Sequence, residues 1–193
     1  MGKRRHRIRL GTRAGVLALA VVAAVLAFVA LTSAADMTGT KGNDRIQGTD
    51  GPDNIKGLAG NDAIFGGGGD DTIDGGPDSD TIDGGEGNDK VYGADCEVAT
   101  VGRLCDNPGN ENLEGGPGDD IVWVGGGADR EFGGAGDDVM HALANDNQAD
   151  FVNCGPGHDV VFLNVKEPHD TAVNCEVVNR IVPSPDDEAE DDS

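Results

Sequence analysis

From Gly39 the sequence repeats every nine residues for six blocks without a slip. The blocks are GTKGNDRIQ, GTDGPDNIK, GLAGNDAIF, GGGGDDTID, GGPDSDTID and GGEGNDKVY, ending at Tyr92. Position one is Gly39, Gly48, Gly57, Gly66, Gly75 and Gly84. Position six is Asp44, Asp53, Asp62, Asp71, Asp80 and Asp89. Position eight is Ile46, Ile55, Ile64, Ile73, Ile82 and Val91. Position four is glycine in five blocks and Asp78 in the fifth. A low-complexity tract does not hold three columns in phase like this. A fixed short period points instead to a stack of small, equivalent units.

Each column has a physical reason. Glycine reaches positive φ and lets backbones approach closely, so it marks turns. Asp78 fits a glycine position because Asp visits the left-handed region more readily than most residues. The β-branched residue at position eight sits between mostly polar neighbours. That is a three-residue strand with one side chain pointing inward. One unit is then a turn plus a short strand, and two units close one coil. The expected fold is all-β: a parallel β-roll, or β-solenoid, about twelve short turns long and interrupted once or twice. Strands 18 residues apart should stack as neighbours, and the Ile and Val column should form a thin core.

Stacking also lines up the aspartates. Asp44, Asp62 and Asp80 fall in one row; Asp53, Asp71 and Asp89 fall in the other. Parallel strands lie ~4.8 Å apart, so the carboxylates of a row repel one another. A hard cation that takes six to eight oxygens relieves this, with backbone carbonyls completing its shell. Magnesium demands a stricter octahedron, and zinc favours nitrogen and sulfur, which these turns lack. Here the blocks resemble the hemolysin-type, or RTX, calcium-binding repeat, whose nonapeptide is GGxGxDxUx. GGGGDDTID at Gly66–Asp74 and GGEGNDKVY at Gly84–Tyr92 match it in full. The first three blocks depart at position two, with Thr40, Thr49 and Leu58. The resemblance implies Ca2+ held between consecutive turns of a row, about four sites over Gly39–Tyr92.

Beyond Tyr92 the phase breaks, and residues 93–106 form an interruption that carries Cys96 and Cys105. Residues 107–182 resume a degenerate roll. GGPGDDIVW at Gly115–Trp123 and GGAGDDVMH at Gly133–His141 are good matches, and CGPGHDVVF follows. These add Asp120, Asp138 and Asp159 to the candidate metal ligands. Glu111 takes an aspartate position, and Asp129, Asp150 and Asp170 keep the phase. Glu131, however, falls where an inward apolar residue belongs, so that coil is expected to be distorted or differently faced. Val173 to Val182 reads as a closing strand. Residues 183–193, PSPDDEAEDDS, read as a disordered acidic tail.

The N-terminus has another character. Lys3, Arg4, Arg5, Arg7, Arg9 and Arg13 precede an apolar run from Ala14 to Leu31, then Thr32-Ser33-Ala34-Ala35. Basic, apolar and small segments in that order read as a secretory signal over residues 1–35, an uncleaved membrane anchor being the alternative. After residue 35 the chain has eight Lys and Arg against 36 Asp and Glu, a net of −28. Such a charge opposes compaction unless a cation binds, and it argues against nucleic acid or anionic membranes as partners.

Export favours disulfides, and the expected pairs are Cys96–Cys105 and Cys154–Cys175. A zinc set of Cys154, His158, His169 and Cys175 is the competing reading. Paired aspartates such as Asp70-Asp71 recur in turn after turn without a unique partner, and Ser79 has no histidine near it in sequence. No catalytic residue and no small-molecule substrate are therefore expected. The expected function is calcium binding that drives folding of a secreted, non-catalytic module. An accessory part of a secreted hydrolase or toxin system is the alternative.

Overall fold

The computed structural model describes residues 34–93, 109–144 and 146–182. Among them every regular element is a strand, and every strand pair is parallel. One sheet has eight strands in spatial order β1 (Asp36–Thr38), β3 (Asn54–Lys56), β5 (Thr72–Asp74), β7 (Lys90–Tyr92), β9 (Ile121–Trp123), β11 (Val139–Ala142), β13 (Val160–Asn164) and β15 (Val177–Ile181). The other has seven: β2 (Arg45–Gln47), β4 (Ala63–Gly68), β6 (Thr81–Glu86), β8 (Asn112–Pro117), β10 (Arg130–Ala135), β12 (Phe151–Asn153) and β14 (Thr171–Val173). Odd strands stack on one side and even strands on the other. The chain therefore winds as a β-roll of about seven coils, two strands to a coil.

The register is the one the repeat dictates. Ile55 lies opposite Ile73, Ile73 opposite Val91, and Ile64 opposite Ile82. These side chains are fully or almost fully buried, whereas the flanking residues of β3 are exposed. A three-residue strand buries only its central side chain, because successive side chains point to opposite faces. The core is thus a narrow column one residue wide per strand: Ile55, Ile64, Ile73, Ile82 and Val91, continuing through Leu113, Val122, Met140, Val152 and Val161.

Two expectations are corrected. The phase break does not interrupt the stack. β6 pairs with β8 and β7 with β9 across 31 residues, where the coils before them use 18, and both ladders run on. Gly93 shows where the extra residues enter. Its N–H donates to Trp123 O, as Gly75 N–H donates to Tyr92 O, so Gly93 opens a turn as a position-one glycine. The strands before Gly93 and after Gly109 keep their register in spite of the added length. Residues 94–108, with Cys96 and Cys105, lie outside the described residues, as do the signal segment through Ser33 and the tail from Pro183.

The second correction concerns Glu131. Its coil is neither distorted nor turned outward. β10 pairs in register with β8 and β12, setting Glu131 beside Leu113 and Val152, and its side chain is fully buried. The strand ladder fixes the inward direction regardless of the residue placed there.

At the C-terminal end, Cys154 and Cys175 form the expected disulfide, with Cα atoms 5.2 Å apart. It ties the turn before β13 to the segment between β14 and β15. On the outer face of the eight-stranded sheet the sequence concealed a continuous stack. Tyr92, Trp123, His141 and Phe162 lie ring on ring, with centroids 4.8, 4.7 and 4.9 Å apart and planes within 12°.

Candidate metal centre

The position-six acids form two rows, one along each edge of the roll, built by a single repeated hydrogen bond. In turn after turn the N–H of the position-six residue donates to a carboxylate oxygen of its counterpart one coil further on. Asp44 donates to Asp62 at 2.8 Å, Asp62 to Asp80 at 2.8 Å, and Glu111 to Asp129 at 2.9 Å. Asp129 then donates to Asp150, and Asp150 to Asp170. In the second row Asp53 donates to Asp71 at 2.7 Å, followed by Asp71 to Asp89, Asp89 to Asp120, Asp120 to Asp138 and Asp138 to Asp159. Glu176 ends that row by accepting from Asp159. All nine aspartates singled out in sequence therefore lie in the two rows. Asp129, Asp150 and Asp170 belong with them, and their phase in the sequence already marked them.

These bonds use Oδ1 and leave Oδ2. The Oδ2 atoms of Asp62, Asp71, Asp80, Asp89, Asp120, Asp129, Asp138, Asp159 and Asp170 are buried and have no hydrogen-bond partner among the described residues. An unpaired buried carboxylate oxygen is strongly unfavourable, and repetition at each coil marks a missing positive partner rather than an accident. Position-one glycine is what brings a second oxygen close. A side chain on Gly84 would begin 2.5 Å from Asp89 Oδ2 and 2.5 Å from the Gly115 carbonyl oxygen. Gly115 stands in the same relation to Asp120 Oδ2 and Gly133 O. The bare Cα lets a carboxylate and a carbonyl from the next coil face one another with no donor between them. An all-oxygen set of this kind fits Ca2+.

The first two turns differ. Asp44 Oδ2 accepts from the Thr40 N–H at 2.5 Å and from Thr40 Oγ at 2.9 Å. Asp53 Oδ2 accepts from the Thr49 N–H at 2.6 Å, while Thr49 Oγ bonds Asp53 Oδ1. The later turns carry positive φ at position two, as at Gly67 and Gly85, and Leu58 is forced to +77° there. Thr40 and Thr49 are not among the positive-φ residues. Threonine thus closes its turn on its own aspartate.

The rows also diverge in the second half. One keeps its position-one glycines through Gly133. In the other, Gly93 is followed at the equivalent place by Val124, then Ala142, paired with Leu163, and all three belong to the core. In those coils, side chains fill the space that glycine leaves elsewhere.

Position five forms an outer ladder that runs in the opposite sense. Asn88 N–H donates to Asp70, Asp119 to Asn88, Asp137 to Asp119 and His158 to Asp137, at 2.8–3.1 Å. Ser79 Oγ accepts from Asn110 in the other column. The Asp-Asp pairs are therefore clamps that grip the coils above and below, and Ser79 has the same use. The variety of Asn, Asp and Ser at this position hid the ladder in sequence; the shared signal was a short oxygen-bearing side chain.

Burial pushes Asp71, Asp80, Asp89, Asp120 and Asp138 upward. Asp71, Asp80 and Asp120 rise to about 7, and Asp89 and Asp138 to about 6. Desolvation is the main cause; the backbone N–H bond opposes it, and neighbouring acids add to it. Without a cation the rows resist full ionisation. Among the described residues no three His, Cys, Asp or Glu side chains converge on one point, so carbonyls must supply the remaining ligands. The zinc reading is excluded for Cys154 and Cys175, which are bonded to each other.

The fold and the two acid rows define a metal-binding parallel β-solenoid. The RTX calcium-binding nonapeptide repeat model matches in four copies, over residues 38–73, 65–95, 107–140 and 132–161, more than half of the chain. The chain belongs to the RTX calcium-binding repeat family, and these repeats bind Ca2+. No curated relative and no solved structure matches it.

Proposed function

We propose that the protein is an exported, non-catalytic module whose folding is driven by calcium. The buried, partnerless Oδ2 atoms, repeated coil after coil, carry this reading. The ligands are Asp71, Asp89, Asp120, Asp138 and Asp159 in one row and Asp62 and Asp80 in the other. Backbone carbonyls at the glycine turns complete each shell. Asp44 and Asp53 belong to the rows but are served by threonine. A site that does not exist in the unfolded chain turns binding energy into folding energy.

Three features support an extracellular setting. The N-terminal residues have the order of a secretory signal, the chain carries a disulfide, and extracellular modules typically bind calcium at about 0.1–1 mM. The test is far-ultraviolet circular dichroism of the protein in chelator and then through a calcium titration. Parallel β signal should rise with calcium and be complete by the millimolar range. Full β signal in chelator at pH 8, or none in calcium, would overturn the proposal.

A further inference from the structure

We propose that Glu131 anchors a cation site of its own, inside the roll and separate from the turn sites. The proposal rests on the calcium reading above and extends it to a residue at a core position. Glu131 occupies position eight, where the repeat places Ile, Val or Leu. Its neighbours along the strand ladder are Leu113 and Val152. Its side chain is fully buried, and neither Oε1 nor Oε2 has a hydrogen-bond partner among the described residues.

The surroundings intensify the problem. The charges acting on Glu131 are those of Asp150, Asp129 and Asp170, all from one row. Asp129 Oδ2, Asp170 Oδ2 and Glu167 Oε2 are themselves buried and partnerless in this part of the roll. Arg180 is the nearby cation, but its guanidinium donates to the carbonyl oxygens of Glu167 and Asp170. These are also the coils in which Val124, Ala142 and Leu163 replace the position-one glycines, so the arrangement of the earlier turns is lost here. Glu131 brings two unpaired carboxylate oxygens into coils whose turns are filled by side chains. A buried charge needs a charged partner or a proton, and three further unpaired carboxylate oxygens in the same part of the roll favour a hard divalent cation, with carbonyls completing its shell.

Two variants of the full chain test this, each read by calcium bound per chain and by β signal in saturating calcium. Glu131→Leu restores the apolar column and is expected to fold; Glu131→Gln keeps the shape and removes the charge. Both should bind about one calcium fewer than the parent and need several-fold more calcium to fold. If Glu131→Leu keeps the parental stoichiometry and folds at equal or lower calcium, Glu131 is a buried neutral acid and the proposal fails. A parent chain that binds no calcium would instead overturn the underlying calcium reading.

Discussion

Threonine and glycine at position two leave the same aspartate in opposite states. At Thr49 the hydroxyl and amide take up the carboxylate of Asp53; at Gly67, Gly76 and Gly85 the equivalent oxygen is left for a cation. On the proposed reading, one residue per turn decides whether the turn closes by itself or by metal. Thr49→Gly should therefore raise the calcium bound per chain. It should also destabilise the roll in chelator by about 1–2 kcal/mol, through the lost hydrogen bonds and the added flexibility. Isothermal calorimetry and chelator melts read both effects, and unchanged stoichiometry would show that threonine does not govern occupancy. The Thr at position two was visible as a departure from the repeat. Its bond to the residue four places on was not, because it depends on φ rather than on residue type.

Strand by strand, the column at position eight told nearly everything about the sheets. Ile55 to Val91 predicted inward direction and an 18-residue register, and both hold; the three-residue length holds for β3, β5 and β7, whereas β4 and β6 run on through the glycines to six residues. The outward stack of Tyr92, Trp123, His141 and Phe162 was invisible by comparison. Its members are 31, 18 and 21 residues apart, so no single period finds them. Offset aromatic pairs are worth about 0.5–1.5 kcal/mol each, and Trp123 takes part in two. Trp123→Ala should cost roughly 1–3 kcal/mol and abolish the near-ultraviolet dichroism of the stack. A denaturant melt in saturating calcium measures the cost. The 13-residue insertion and Glu131 misled for a common reason: sequence shows where the pattern fails, whereas the ladder on either side sets where the chain must go.

For the molecule as a whole, the proposed sites would have acid and calcium act on the same oxygens. Asp71, Asp80, Asp89, Asp120 and Asp138 are raised to about 6–7 by burial, above their ordinary value of 3.8. A raised carboxylate means the folded state holds more protons than the unfolded one. Its stabilising effect is complete below about 4 and is lost as pH rises through about 6–7. In chelator, β signal should thus grow as pH falls from 8 toward 4.5. In calcium the trend reverses, because protons compete, and the calcium midpoint should climb below about pH 7. Dichroism at fixed chelator or fixed calcium across that range distinguishes the two. A chelated protein equally unfolded at pH 8 and pH 4.5 would contradict the burial of these groups.

The two ends of the roll are secured without metal, by threonine hydroxyls at Asp44 and Asp53 and by the Cys154–Cys175 bridge. Between them each coil leans only on the coil above and the coil below. Such a stack is a one-dimensional lattice with fixed boundaries. In such a lattice, order should be lost from the interior outward and regained by two fronts advancing toward each other. Under the proposed function, calcium would then set how much of the rod is ordered, as a level on a gauge rather than as the throw of a switch.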